Sequence, residues 1–103
     1  MITINELLAL SNNDGITLKK GVAITYKSGY QVADEGRETT DANEAFTIIC
    51  EVFKGNCGIW FSEGVYYIDH SFRVNTKREA VEIGKKYNQI SVLKWATMSL
   101  IYC

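Results

Sequence analysis

The chain has 103 residues, 47% of them hydrophobic and 22% charged, with a formal net charge of −1 and no proline. That balance belongs to a folded globular domain and excludes a disordered, fibrous or collagen-like chain. No segment approaches the roughly 18 apolar residues of a membrane span, and the start lacks the basic and apolar runs of a secretion signal. A cytoplasmic protein without membrane contact is therefore expected.

Three cysteines, Cys50, Cys57 and Cys103, are an odd number without a secretion signal, which points to free thiols in a reducing compartment. The charge is divided unevenly. Residues 1–53 carry eight acids and four bases, whereas residues 54–103 carry seven bases and four acids. Such an asymmetry can orient a partner or favour self-association into a homo-oligomer, though it is also what an ordinary solvated surface shows.

The first element is a short helix. Thr3-Ile4-Asn5-Glu6 has the form of a capping box, Leu7, Leu8 and Leu10 supply an apolar face, and Ser11–Gly15 ends it with turn-forming residues. Next comes a meander in which Leu18 and Val22 flank Lys19-Lys20-Gly21, and Tyr26 and Tyr30 flank Lys27-Ser28-Gly29. Three-residue loops with glycine last would place Val22 opposite Leu18 and Tyr26 opposite Tyr30, separating an apolar face from a polar one. Asp34–Glu38 then reads as an exposed acidic connection. A second helix starts at Asp41, with Ala45, Ile48, Ile49 and Val52 at the spacing of a buried face and Phe46 and Phe53 at its flanks.

Phe61 and Val65 flank Ser62-Glu63-Gly64, which by the same rule pairs Ile59 with Tyr67 and Trp60 with Tyr66. Both faces of this hairpin are apolar or aromatic. Either it is covered on both sides, or the Trp60/Tyr66 face is an exposed binding surface. A third helix begins at Thr76 with a second capping box closed by Glu79. It buries Ala80, Ile83, Gly84 and Tyr87, and its outer face is basic: Lys77, Arg78, Lys85 and Lys86. Strands Ser91–Ala96 and Ser99–Cys103 follow around Thr97-Met98-Ser99; a partly helical Leu93–Leu100 is the alternative.

Residues 23–49 and 58–84 align at an offset of 35, with Ile24/Ile59, Gly29/Gly64, Asp34/Asp69, Glu44/Glu79, Ala45/Ala80 and Ile48/Ile83 identical. The expected architecture is one α+β domain over residues 1–103. It has an antiparallel sheet of about five to seven strands, built from repeated β-hairpin–helix units with a partial third hairpin at 91–103, and helices on one face.

No constellation of catalytic type stands out. Cys57 with His70 is the sharpest candidate, a thiol nucleophile with an imidazole base, but Cys57 follows a helix C-terminus, where the dipole disfavours a thiolate, and His70 reads as part of an exposed connection. Cys50, Cys57, His70 and Cys103 have ligand chemistry suited to zinc without the usual CxxC or HxxxH spacing. No cofactor is expected, since no glycine-rich loop opens a helix. The remaining candidates form binding surfaces: Trp60 and Tyr66 as aromatics, and Arg73, Lys77, Arg78, Lys85 and Lys86 as cations. Stacking residues beside cations would also suit a single-stranded nucleic acid.

The run GNCGIWFSEGVYYID, followed by TKREAVEIGKKYNQISVLKW, resembles short accessory proteins carried by phages and mobile elements. The resemblance spans roughly residues 55–95 and carries over no functional residue. It implies a non-catalytic protein that binds a protein partner, of the kind that blocks host defence systems such as CRISPR nucleases or restriction enzymes.

Overall fold

A computed structural model describes residues 1–103. Its helices are α1 (Ile4–Leu8), α2 (Ala42–Thr47, continued by a π-helical turn over Ile48–Val52) and α3 (Lys77–Lys86). Its strands are β1 (Asp14–Lys19), β2 (Val22–Ala23), β3 (Tyr30–Thr39), β4 (Cys57–Ser62), β5 (Val65–Val74), β6 (Ser91–Lys94) and β7 (Ser99–Tyr102). They form one seven-stranded antiparallel sheet in the order β2-β1-β4-β5-β3-β6-β7, so the chain has the expected α+β class. No helix is long and apolar enough to cross a membrane. Contacts group the residues into two compact units, Met1–Ile24 with Gly36–His70 and Thr25–Glu35 with Ser71–Cys103.

In the first unit, Leu7, Leu18, Ile49, Ile59, Tyr66 and Ile68 lie in one buried cluster. The capping box forms as its sequence dictates, with the Glu6 amide donating to Thr3 Oγ1 and the Thr3 amide to Glu6 Oε1, each at 3.2 Å. The Tyr66 hydroxyl donates to the Leu7 carbonyl at 3.1 Å, closing the end of α1 against β5. Tyr66→Phe is expected to lower stability by about 1 kcal/mol, read as a shift of the urea midpoint at unchanged m-value.

Asp41 caps α2, its carboxylate accepting from the amides of Asn43 and Glu44 at 2.8 and 3.2 Å. The expected inner face fails at its last position. The Phe53 amide donates to the Ile48 carbonyl, five residues back, so the π turn inserts one residue and rotates the next positions by about 100°. Phe53 is thereby buried and Val52 exposed, the reverse of the ideal helical pattern.

Two turns are shorter than their glycine spacing implied. Lys19 pairs with Val22 and Ser62 with Val65, leaving two-residue turns at Lys20-Gly21 and Glu63-Gly64. All four turn residues have positive φ: 50° and 81° in the first, 50° and 80° in the second. This mirror-image turn matches the right-handed twist of a hairpin, which compensates a lysine or a glutamate for entering the left-handed region. Register therefore shifts by one residue. Ile59 pairs with Ile68, Trp60 with Tyr67 and Phe61 with Tyr66, in place of the expected Ile59/Tyr67 and Trp60/Tyr66.

The expected hairpin around Lys27–Gly29 does not form. Residues 24–29 are not in a strand, and β3 stands between β5 and β6 in the sheet, away from β2. The acidic stretch 34–38 is not a connection but the continuation of β3. Of the 35-residue offset, two features recur: the ten-residue strands β3 and β5, and the helix caps Asp41 and Thr76. The hairpin preceding them does not.

In the second unit, Val32, Ala80 and Val92 are buried among Tyr30, Phe72, Val74, Ile83 and Ile101. Thr76 caps α3 by accepting from the Glu79 amide at 3.2 Å, and its hydroxyl donates to the Glu79 carboxylate at 3.0 Å. Tyr87, expected inside, follows the last helical turn and is exposed. The terminal hairpin forms with Lys94 opposite Ser99 around Trp95–Met98, not as a helix. Trp95 is buried: its indole N–H donates to Gln31 Oε1, its backbone amide donates to the Gly29 carbonyl, and the Tyr26 ring meets it edge-on at 5.5 Å.

Candidate binding surfaces

The one-residue shift in register decides which aromatics face water. Ile59 and Phe61 of β4 share the inner face with Tyr66 and Ile68 of β5, and this face belongs to the buried cluster. The other face carries Trp60 and Tyr67, directly opposite each other and 47% and 43% exposed. On its other side Trp60 opposes Gly15 of β1, where an added Cβ would meet the ring at 3.1 Å, so the indole lies over the glycine backbone. Tyr66 is thus not part of an exposed surface with Trp60. Tyr67 takes that place, and nothing local to the hairpin separates it from Tyr66, because Glu63-Gly64 fits a two-residue or a three-residue turn.

Among the cations, Arg73 is a structural clamp. Its Nε donates to the Ser28 carbonyl at 2.9 Å, one amino group to Ser28 Oγ at 3.1 Å and the other to Asn75 Oδ1 at 2.6 Å. The guanidinium carbon also lies 5.3 Å from the centre of the Tyr26 ring. Its planar fork is consumed in holding the 26–29 segment, a use that requires arginine and not lysine. Lys77, Arg78, Lys85 and Lys86 are exposed on α3 as expected. Arg78 pairs with Glu82 at 3.2 Å, and the Lys86 ammonium sits 5.3 Å from the Tyr87 ring centre. Both contacts are at the surface, where such pairs contribute at most about 1 kcal/mol.

Cys57 and His70 are cross-strand partners in the first unit, so His70 lies in β5 and not in a connection beyond it. The His70 ring stands 5.6 Å from that of Phe53. Cys57 is fully buried, and burial, reinforced by the nearby charges of Asp69 and Cys50, pushes its thiol up to about 12. Such a thiol stays protonated throughout the neutral range, the opposite of an activated nucleophile. Asp69 accepts from the Gly58 amide at 3.0 Å, and loss of hydration holds its carboxyl above the usual range despite that bond and the neighbouring His70. No group of three or more His, Cys, Asp or Glu side chains is placed to hold a metal ion.

No protein-family model, curated protein or solved structure compared with the chain matches it.

Proposed function

We propose that the chain is a non-catalytic protein-binding module that engages its partner through the Trp60–Tyr67 face of β4 and β5. The observation that supports this reading is a cross-strand pair of half-exposed aromatics on hydrogen-bonded strands. Large aromatic side chains with few rotatable bonds lose little entropy on contact, which is why they dominate the energetics of protein interfaces. The protonated, buried state of Cys57 supports a non-catalytic role. The likeness of residues 55–95 to short phage proteins makes a host defence nuclease the partner to try first.

The test is titration of the purified nuclease with the chain, reading both DNA cleavage and affinity by calorimetry. Trp60→Ala and Tyr67→Ala are each expected to weaken binding about tenfold or more, with circular dichroism and unfolding midpoint close to wild type. Wild-type affinity in both variants would overturn the reading. An affinity for single-stranded nucleic acid that falls steeply with salt, and that is lost on replacing Lys77, Lys85 and Lys86, would replace it with the alternative centred on α3.

A further inference from the structure

We infer that β7 is a self-association edge, on which a second copy of this chain adds its own β7 antiparallel about a two-fold axis at Ile101. The strand ends the sheet order, so one side of it has no neighbour. Its orientation is set by the ladder. The Cys103 amide donates to the Ile90 carbonyl, and the register continues through Val92/Ile101 to Lys94/Ser99, so residues 99, 101 and 103 point their backbone groups at β6. By alternation, the amides and carbonyls of Leu100 and Tyr102 point outward. Their side chains share the face opposite Ile101 and are 55% and 71% exposed.

Edge strands are commonly guarded by a charge, a proline or extreme shortness. The opposite edge, β2, has two residues and lies beside Lys19 and Lys20. Neither a charge nor a proline protects β7, whose four residues are twice the length of β2: residues 95–103, WATMSLIYC, contain neither a charged side chain nor proline. Ile90, whose carbonyl accepts from the Cys103 amide, and Met98 in the turn that leads into β7 are also exposed.

Charge and symmetry select the occupant. A charged segment would find no counter-ion on this strand, whereas a second β7 brings none. With Ile101 on the axis, Leu100 meets Tyr102 of the second copy, and Tyr102 meets its Leu100. Both are outward-facing positions, so each pair exchanges two N–H···O bonds and stacks an aliphatic on an aromatic side chain. The same patch serves both copies, as a closed two-fold interface requires.

An interface built on one short strand is below standard size and therefore weak, so sedimentation equilibrium should run from about 10 µM to about 1 mM. The wild-type mass is expected to rise from one chain towards two. Leu100→Lys with Tyr102→Lys sets lysine opposite lysine and should raise the dissociation constant tenfold or more. Leu100→Lys with Tyr102→Glu sets opposite charges together and should retain the dimer. Leu100→Pro deletes an outward amide but no bond to β6, and should weaken association about tenfold. Circular dichroism confirms that each variant is folded. A wild-type monomer at every concentration, masses beyond two chains, or unchanged association in the double-lysine variant would overturn the inference. So would a lysine–glutamate variant as weak as the double-lysine one, because that would remove the axis at Ile101.

Discussion

Gly55→Ala is expected to cost about 3 kcal/mol or more, whereas Gly64→Ala costs about 1 kcal/mol, although both glycines sit in the left-handed region. Their φ values are nearly equal, 77° and 80°, so the intrinsic backbone penalty is shared. Their surroundings differ. A Cβ at Gly64 would meet nothing within 4 Å, but one at Gly55 would collide with the Gly21 amide nitrogen and lie 2.8 Å from the Lys20 carbonyl carbon. These are backbone atoms in a turn, with no flexible end to move aside. Gly55 also makes two hydrogen bonds: its amide donates to the carbonyl of Ile49 in the π turn, and its carbonyl accepts from the Gly21 amide at 3.0 Å. Pushing the segments apart would break the link between α2 and the β1–β2 turn. Urea unfolding of both variants measures the difference, and equal losses would show that close approach contributes nothing.

A second large effect is expected in alkali. Cys57 has an ordinary thiol value in the unfolded chain, near 9, and about 12 when folded. Between these values the unfolded state releases a proton that the folded state keeps, so stability is fully present below pH 9 and falls as pH rises, by about 1.4 kcal/mol per pH unit. In Cys57→Ala that component of the slope disappears. The variant should be about 1 kcal/mol less stable at pH 7, for the cavity left by the sulfur, yet lose less than wild type by pH 11. Urea unfolding at pH 7, 9, 10 and 11 gives both curves. Parallel curves would mean that the thiol ionises in the folded state as readily as in the unfolded one.

The helix starts were legible because a cap is local chemistry. A hydroxyl or carboxylate reaches amides two or three residues ahead, so Thr3, Asp41 and Thr76 could be read from spacing alone. The hairpin register was not. Trp60, Phe61, Tyr66 and Tyr67 make both faces of β4–β5 aromatic, so hydrophobic alternation fits two registers equally well, and Glu63-Gly64 is compatible with either loop length. What separates them is distant in the chain: Tyr66 reaches the carbonyl of Leu7, and Gly15 gives Trp60 a bed to lie on. Likewise Val52 and Phe53 exchange places because of a single inserted residue that leaves no mark in the periodicity.

The amino-acid sequence by itself determined the α+β class, the three helix starts and the presence of paired strands around Glu63-Gly64 and Thr97-Met98, since each depends on propensities and contacts within a few residues. Only the tertiary structure decided that Asp34–Glu38 is strand and that Tyr67 instead of Tyr66 stands beside Trp60 in water. It also decided that Arg73 is a clamp. Those outcomes rest on pairings between residues tens of positions apart, whose energies exceed the local preferences that the linear pattern reports.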